Sequence, residues 1–395
     1  MVFHLASEAK LIGQEIPDWR ARLILSDSGY VDFLQYFQIW NTVTLKSPKT
    51  KSVPRIDTYI RRARFGLGGC INRKAFFYAG FTYDGIGKDS LSISPAAPNP
   101  SDNTAFFIRD AFFTYKFNTY LNLTIGYFRP RAGKESIYTS AFNISQEKGQ
   151  PNFQPRIHMV GRALGRETGI NIGGFKRGEN LSVLYDFGFF DTNHPLIQGD
   201  NSIWSPLWTA RTVLMIGDPE FEDYRLVYSQ SGFIERKGLS IGANATFQSE
   251  TNSFRNNLIY GADAQLNYGA LDLLAEYVWL YRENKINGAS TTTTIDHCYV
   301  VKAAWNFSVN TSQIIQITAM YTATLPDEAY EIKGFNPYTK SNYHSEVALG
   351  LNWLVKRNKL KFGLHFVQGD THYKAANGDD IGKFMYINPS IQFMM

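Results

Sequence analysis

The most constraining feature of this chain is a side-chain alternation with a period of two, which recurs in sixteen short segments along its 395 residues. Between Leu258 and Tyr268, every second residue is apolar or aromatic, and the residues between them are small or polar. A period of two places the two sets on opposite faces of a strand. Segments of about ten residues with this pattern, separated by turns, are typical of strands that cross a membrane as a closed barrel.

We therefore predict an all-β fold, a 16-stranded antiparallel transmembrane β-barrel with a long inward-folded third loop. A soluble β-sandwich is the alternative, since its strands also alternate, but sandwiches rarely need so many segments of this length. Strands are predicted at residues 30–44, 57–70, 75–85, 105–117, 121–128, 167–176, 181–190, 207–216, 238–249, 258–268, 271–283, 297–308, 313–324, 344–355, 359–368 and 382–393.

The predicted organisation is a periplasmic N-terminal lead-in at residues 1–29, followed by a single barrel domain at residues 30–395. The connections alternate between terse and long, with residues 217–237 as the one long exception on the short side. Short periplasmic turns opposite long outer loops are typical of barrels in the bacterial outer membrane. Residues 1–20 lack a charged start followed by an apolar core, so we expect the numbering to begin after a cleaved signal peptide.

One connection stands apart, because residues 129–166 run for nearly forty residues without a strand pattern. Its seven basic and two acidic residues give an excess equal to the formal net charge of +5 of the whole chain. A solvated outer loop that contacts lipopolysaccharide is one interpretation. We expect instead a constriction loop inside the lumen, where clustered cations concentrate anions. The basic residues are Arg129, Arg131, Lys134, Lys148, Arg156, Arg162 and Arg166.

Strand parity identifies further basic residues that point into the lumen. Arg62 and Arg64 share a face with small residues, opposite an apolar face, and Lys302 and Lys361 lie on the polar faces of their strands. Arg61 has the opposite parity, which predicts a position at the membrane interface. We expect the wall to add these inward cations to those of the loop.

Four stretches of the chain resemble the phosphate-selective porin O and P family. They run from Tyr59 to Leu67, Ile108 to Phe117, Gly126 to Glu135 and Gly165 to Ile170, within a looser similarity over residues 28–393. The resemblance implies a sixteen-stranded barrel, usually trimeric, that passes phosphate or other anions by diffusion. Arg62, Arg64, Arg129 and Arg166 match the motif positions. Where the family usually has phenylalanine after the proline of the third stretch, this chain has Arg131.

The sequence thus predicts an outer-membrane porin with passive, anion-preferring diffusion through a basic constriction. The predicted partners are membrane lipid and lipopolysaccharide, small anions such as phosphate, and further copies of the chain in a homotrimer. No cofactor, metal ion or nucleic acid is expected. The candidate pore-lining and anion-binding residues are Arg62, Arg64, Arg129, Arg131, Lys134, Arg156, Arg162, Arg166, Lys302 and Lys361.

Three other functional classes are compared with this one. A general or sugar-type porin would use the Gln, Asn and Tyr residues that face the lumen, and a scaffold subunit of a larger envelope complex would leave little trace in the sequence. An enzyme needs a nucleophile, a base and an orienting acid together. The seven histidines form no such group with Ser or Asp, so we expect no catalysis.

Overall fold

The computed structural model describes residues 21–88, 91–93, 106–161, 164–192, 203–226, 229–286, 290–331, 343–372 and 382–395. Nearly all regular structure in these residues is antiparallel β-strand. None of the helices found there has both the length and the apolar character needed to cross a membrane.

A short strand, β1 (Ala21–Ser26), precedes the strands of the main sheet. The others are β2 (Gly29–Lys46), β3 (Arg55–Asn72), β4 (Ala75–Thr82), β5 (Phe107–Lys116), β6 (Asn122–Phe128), β7 (Glu167–Lys176), β8 (Leu181–Asp191), β9 (Leu207–Gly217), β10 (Lys237–Gln248), β11 (Phe254–Tyr268), β12 (Leu271–Ile286), β13 (Ser290–Ser308), β14 (Gln313–Leu325), β15 (Tyr343–Val355), β16 (Leu360–His372) and β17 (Phe384–Met394).

Strands β2 to β17 pair in sequence order, and β17 returns to pair with β2. In the described part of the chain these sixteen strands therefore form a closed antiparallel barrel, which leaves no unpaired sheet edge for the membrane to solvate. The predicted fold class is confirmed. Each predicted strand has a counterpart, and the largest difference is β13, which begins seven residues before the predicted 297.

Strand β1 was not predicted, because its six residues are too few to show a clear period. It pairs with the first residues of β2, from Ala21 opposite Phe33 to Ser26 opposite Gly29. The chain's last residue, Met395, pairs with Gln35 on the same edge of β2. β1 and β17 therefore pair with the same edge of β2, β1 along its first residues and β17 along the rest.

The two faces of the wall follow the predicted alternation. The outward residues of the strands are exposed and apolar, such as Val301, Trp305, Leu351 and Leu364. Such a continuous exposed apolar surface is expected where lipid, not water, is the surrounding solvent. The inward residues are mainly buried polar groups, among them Asp263 and Lys302.

The connection between β6 and β7, which we call the third loop (residues 129–166), lies inside the barrel, as predicted. It contains two short helices, α1 (Lys134–Ile137) and α2 (Gln150–Val160). Met159 and Val160 of α2 pack against Val278 and Leu280, which point inward from β12. The Asn352 side chain holds the loop at another point by donating to the Ile144 carbonyl, at 3.0 Å. Apolar packing and hydrogen bonds to the wall thus fix the loop in the lumen.

Candidate functional site

A β-bulge in β3 directs two adjacent arginines into the lumen. Opposite Gln38, the register of β3 shifts by one residue between Arg62 and Ile60, so Arg61 is the extra residue. A bulge of this kind changes which face the following residues occupy. The prediction that Arg61 lies at the membrane interface was wrong for this reason. Arg61 and Arg62 both bind Glu147 of the third loop, at 2.7 and 2.5 Å.

A second bulge, where β5 faces β4, acts in the same way on Arg109. Arg109 lies 3.7 Å from both Asp84 and Asp110. Arg64 binds Asp84 with two hydrogen bonds, the shorter 2.6 Å, and Arg166 binds Asp110 at 2.8 Å. Burial alone would raise the pKa of Asp84, but the Arg64 guanidinium lowers it overall. Three arginines therefore share two ionised carboxylates on this wall.

Further cations of the third loop lie close to this group. Arg129 donates to the Ser136 carbonyl, and its buried Nε has no partner among the described residues. Lys148 donates to two carbonyl oxygens, those of Glu135 and Tyr138, at 2.9 and 2.5 Å. In the described part of the chain neither residue forms an ion pair with a carboxylate. Both charges are thus held by neutral oxygens.

The pKa shifts report how closely these cations are grouped. Burial, followed by repulsion from Arg156 and Arg166, lowers the pKa of Arg129. Burial and then Arg129 and Arg156 lower the pKa of Lys148 in the same way. Arginine keeps its charge in proteins, so the repulsion persists until an anion offsets it. We call Arg64, Arg109, Arg129, Lys148, Arg156 and Arg166 the basic cluster.

Other predicted site residues are neutralised by carboxylates. Arg131 binds Asp186 at 3.3 Å, and Lys134 binds Glu220 at 2.5 Å. Lys302 binds Glu135 at 2.7 Å and also donates to the Tyr138 hydroxyl and the Asn143 side chain, each at 2.9 Å. These three cations form buried ion pairs that hold the third loop. Their ion pairs distinguish them from the basic cluster, although Lys302 and Lys148 both contact Tyr138.

Lys361 belongs to neither group, because its ammonium donates to the Asn143 carbonyl of the third loop, at 2.9 Å. Arg162 lies outside the described residues. Arg109 and Lys148 were not among the site residues predicted from the sequence. The bulge that turns Arg109 inward leaves no mark in a pattern of period two, whereas Lys148 was already part of the loop's charge excess.

No group of His, Cys, Asp and Glu suited to a metal ion occurs among the described residues.

The family comparison matches most of the chain. The family described as phosphate-selective porin O and P matches residues 33–394. No curated protein sequence matches the chain. The family match therefore stands on its own as sequence evidence, and it covers the barrel from β2 to the end of β17.

Solved structures of outer-membrane channels share the fold at low identity. An anion-selective porin from Comamonas acidovorans is 10% identical, with a TM-score of 0.56, covering 93% of this chain and 100% of that one. The channel DcaP of Acinetobacter baumannii is 10% identical, with a TM-score of 0.57 and coverages of 93% and 98%. OmpT of Vibrio cholerae, in its trimer form, is 9% identical, with a TM-score of 0.54 and coverages of 93% and 100%. At these identities the likeness establishes the barrel fold.

Proposed function

Since this chain belongs to the phosphate-selective porin O and P family, and so is an outer-membrane porin, we propose that it passes anions in preference to cations. The proposed solutes are small oxyanions such as phosphate, and the proposed selective element is the basic cluster. Passage is by diffusion, so the cluster acts by raising the local concentration of anions and excluding cations.

The observation that carries this proposal is the charge imbalance of the basic cluster. Three of its six cations, Arg64, Arg109 and Arg166, share Asp84 and Asp110. Among the described residues, Arg129 and Lys148 form no ion pair, and both donate to backbone carbonyls. Grouped cations in a narrow passage with low-dielectric walls repel one another strongly. An entering oxyanion relieves that repulsion, and guanidinium groups can hold two of its oxygens at once. A cation gains nothing comparable.

The test is the reversal potential of single channels in a gradient of potassium chloride. We expect a sign that reports anion preference, and we expect inorganic phosphate to reduce the chloride current by occupying the cluster. A reversal potential near zero would favour a general or sugar-type porin. A cation-selective sign would contradict the proposal.

We also propose a homotrimer, because the Vibrio cholerae outer membrane protein OmpT, which shares the fold, is described in a trimer form. The outward face of the barrel is apolar over most strands, so a contact between copies would be made within the membrane or its interface. Chemical crosslinking of the detergent-solubilised protein tests the assembly. A crosslinked product of three copies is expected, and a product of one copy only would contradict it.

A further inference from the structure

The connection between β9 and β10 is the long exception at the end of the barrel where the other turns are short. We call its described residues, 218–226 and 229–236, the inner turn. We propose that the inner turn is a second constriction element, which enters the lumen from the end opposite the third loop and closes the part bounded by β7–β12. Solutes then pass along the wall formed by β2–β6. This path rests on the proposed porin function.

The inner turn is anchored to the inner wall through buried contacts. The Tyr224 hydroxyl donates to Asp186 on β8 at 2.6 Å and accepts from Asn171 on β7 at 2.9 Å. Phe221 packs against Phe175 of β7, with ring centroids 5.1 Å apart. An apolar cluster with Leu184, Val213 and Met215 of the wall surrounds these rings. A solvated periplasmic turn would make no contacts of this kind.

Gln230 binds the third loop from below. Its Nε2 donates to Glu135 at 2.8 Å, and its Oε1 accepts from the backbone N–H of Ile144 at 3.3 Å. On its other side, the Gln230 carbonyl accepts hydrogen bonds from Gln265 and Asn267 of β11, at 3.1 and 3.0 Å. One residue of the inner turn thus joins the third loop to the wall.

An ion pair and several hydrogen bonds also join the inner turn to the third loop and to the wall. Lys134 of the third loop binds Glu220 of the inner turn at 2.5 Å, and the Arg131 guanidinium donates to the Leu226 carbonyl at 2.6 Å. Further along, Gly232 and Ser231 both donate to Asp272 on β12, at 3.1 and 3.2 Å. The two inward segments are therefore joined to each other by the Lys134–Glu220 ion pair and to the wall by hydrogen bonds.

Solvent reaches one stretch of the β2–β6 wall, although Arg62 and Glu147 beside it are only 3% and 4% exposed. The side chains of Arg64, Asp84, Arg109 and Asp110 are 13% to 18% exposed. Those of Lys134, Asp186 and Glu220, on the other side, are at most 3% exposed. On the same wall, Tyr78 packs against Gly66 and Gly80. A Cβ at Gly66 would lie 2.9 Å from the Tyr78 hydroxyl oxygen, and one at Gly80 would lie 2.8 Å from a ring carbon. The two glycines therefore leave room for the Tyr78 side chain to lie against the wall.

Substituted cysteines test the path without removing the inner turn. Tyr78→Cys and Phe175→Cys are a matched pair, because each replaces an inward aromatic residue, one on β4 beside the proposed path and one on β7 beneath the inner turn. The native Cys70 and Cys298 are buried, and the unmodified protein gives the background. A small thiol reagent should reduce the conductance of Tyr78→Cys roughly twofold, since it narrows the charged passage, and should leave Phe175→Cys unchanged. Reaction at Phe175→Cys, or none at Tyr78→Cys, would overturn the proposal.

Replacement of residues 219–236 by Asn-Gly is the second experiment. Asp218 and Lys237 are already paired by a hydrogen bond, so a two-residue hairpin turn fits between them. We expect the conductance to rise roughly twofold, larger neutral sugars to enter in vesicle swelling assays, and Phe175→Cys to become reactive in this background, because a second passage opens. An unchanged conductance and size limit in a folded barrel would overturn the proposal.

The reversal potential, measured on the same channels, keeps the two proposals distinct. Absence of anion preference with the expected pattern of cysteine reactivity would refute the proposed solute class and leave the path in place. Anion preference with reactivity on both walls would refute the path and leave the solute class in place.

Discussion

Two parts of the lumen use similar side chains for different purposes. Beside β2–β6, three arginines, Arg64, Arg109 and Arg166, share the carboxylates of Asp84 and Asp110, and the other cations of the basic cluster lie close to them. On the β7–β12 side, each of several cations has its own carboxylate: Arg131 with Asp186, Lys134 with Glu220, Arg211 with Asp263. Cations paired with a carboxylate hold segments together, and cations without such a pair can act on a solute. The presence of a basic residue alone does not distinguish these two roles, whereas its pairing does.

The largest effect is expected when a buried ion pair beside β7–β12 loses its cation. Arg211 binds Asp263 through two hydrogen bonds, of 2.6 and 3.0 Å, and both side chains are fully buried. Arg211→Met leaves the carboxylate buried without its cation, which costs about 3–5 kcal/mol. A lower temperature of barrel unfolding in heat-modifiability gels measures this. Arg211→Met combined with Asp263→Leu removes both charges and should recover most of the loss. A single variant as stable as the wild type would break the comparison.

The next largest effect concerns the basic cluster. Combined Arg129→Gln, Lys148→Gln and Arg156→Gln should lower the anion-to-cation permeability ratio by roughly tenfold, because the cluster loses half its cations in a low-dielectric passage. Reversal potentials measure the ratio. The control combines Lys134→Gln with Glu220→Gln, which removes one matched pair and should leave the ratio almost unchanged. Equal effects of the two changes would show that pairing does not matter.

A smaller effect of opposite sign is expected when a carboxylate is removed from the cluster. Asp84→Asn releases Arg64 from its ion pair and Arg109 from one of its two neighbours. Anion preference should rise by roughly threefold, since the local potential becomes more positive. Asp27→Asn, which alters an exposed carboxylate in the turn between β1 and β2, is the control. A fall in anion preference would mean that Asp84 orients the arginines instead of offsetting them.

The smallest effect is a dependence on pH. Burial, followed by repulsion from Arg61 and Lys49, lowers the pKa of Lys88 to about 7. Lysine is charged below its pKa, so anion preference should decline as the pH rises from about 6 to 8. Lys88→Met should flatten this profile, whereas Lys356→Met, at an exposed position, should preserve it. A preference that increases with pH in this range would contradict the assignment.

The sequence predicted the wall better than the lumen. A period of two survives in each strand, so all sixteen barrel strands and the inward third loop were predicted. The bulges at Arg61 and Arg109 were not, because one extra residue shifts parity without a composition of its own. The ion pairs join residues far apart in sequence, such as Lys134 with Glu220 and Lys302 with Glu135. Loop charge could therefore be counted, but its partners could not be assigned.

The inner turn illustrates the same limit. Its length marked it as an exception among the short connections, but nothing in its composition indicated an inward course. Its position depends on partners from distant strands, namely Asp186, Asp272 and Asn267. Long-range contacts of this kind are a property of the closed barrel, and they are absent from any local pattern.

The most direct test of the account is the location of bound anions in bromide-soaked crystals by anomalous diffraction. We expect a bromide peak within contact distance of Arg129 or Lys148, whose charged groups donate to backbone carbonyls. Bromide found beside the matched pairs of Arg131 or Lys134, with none in the basic cluster, would contradict it.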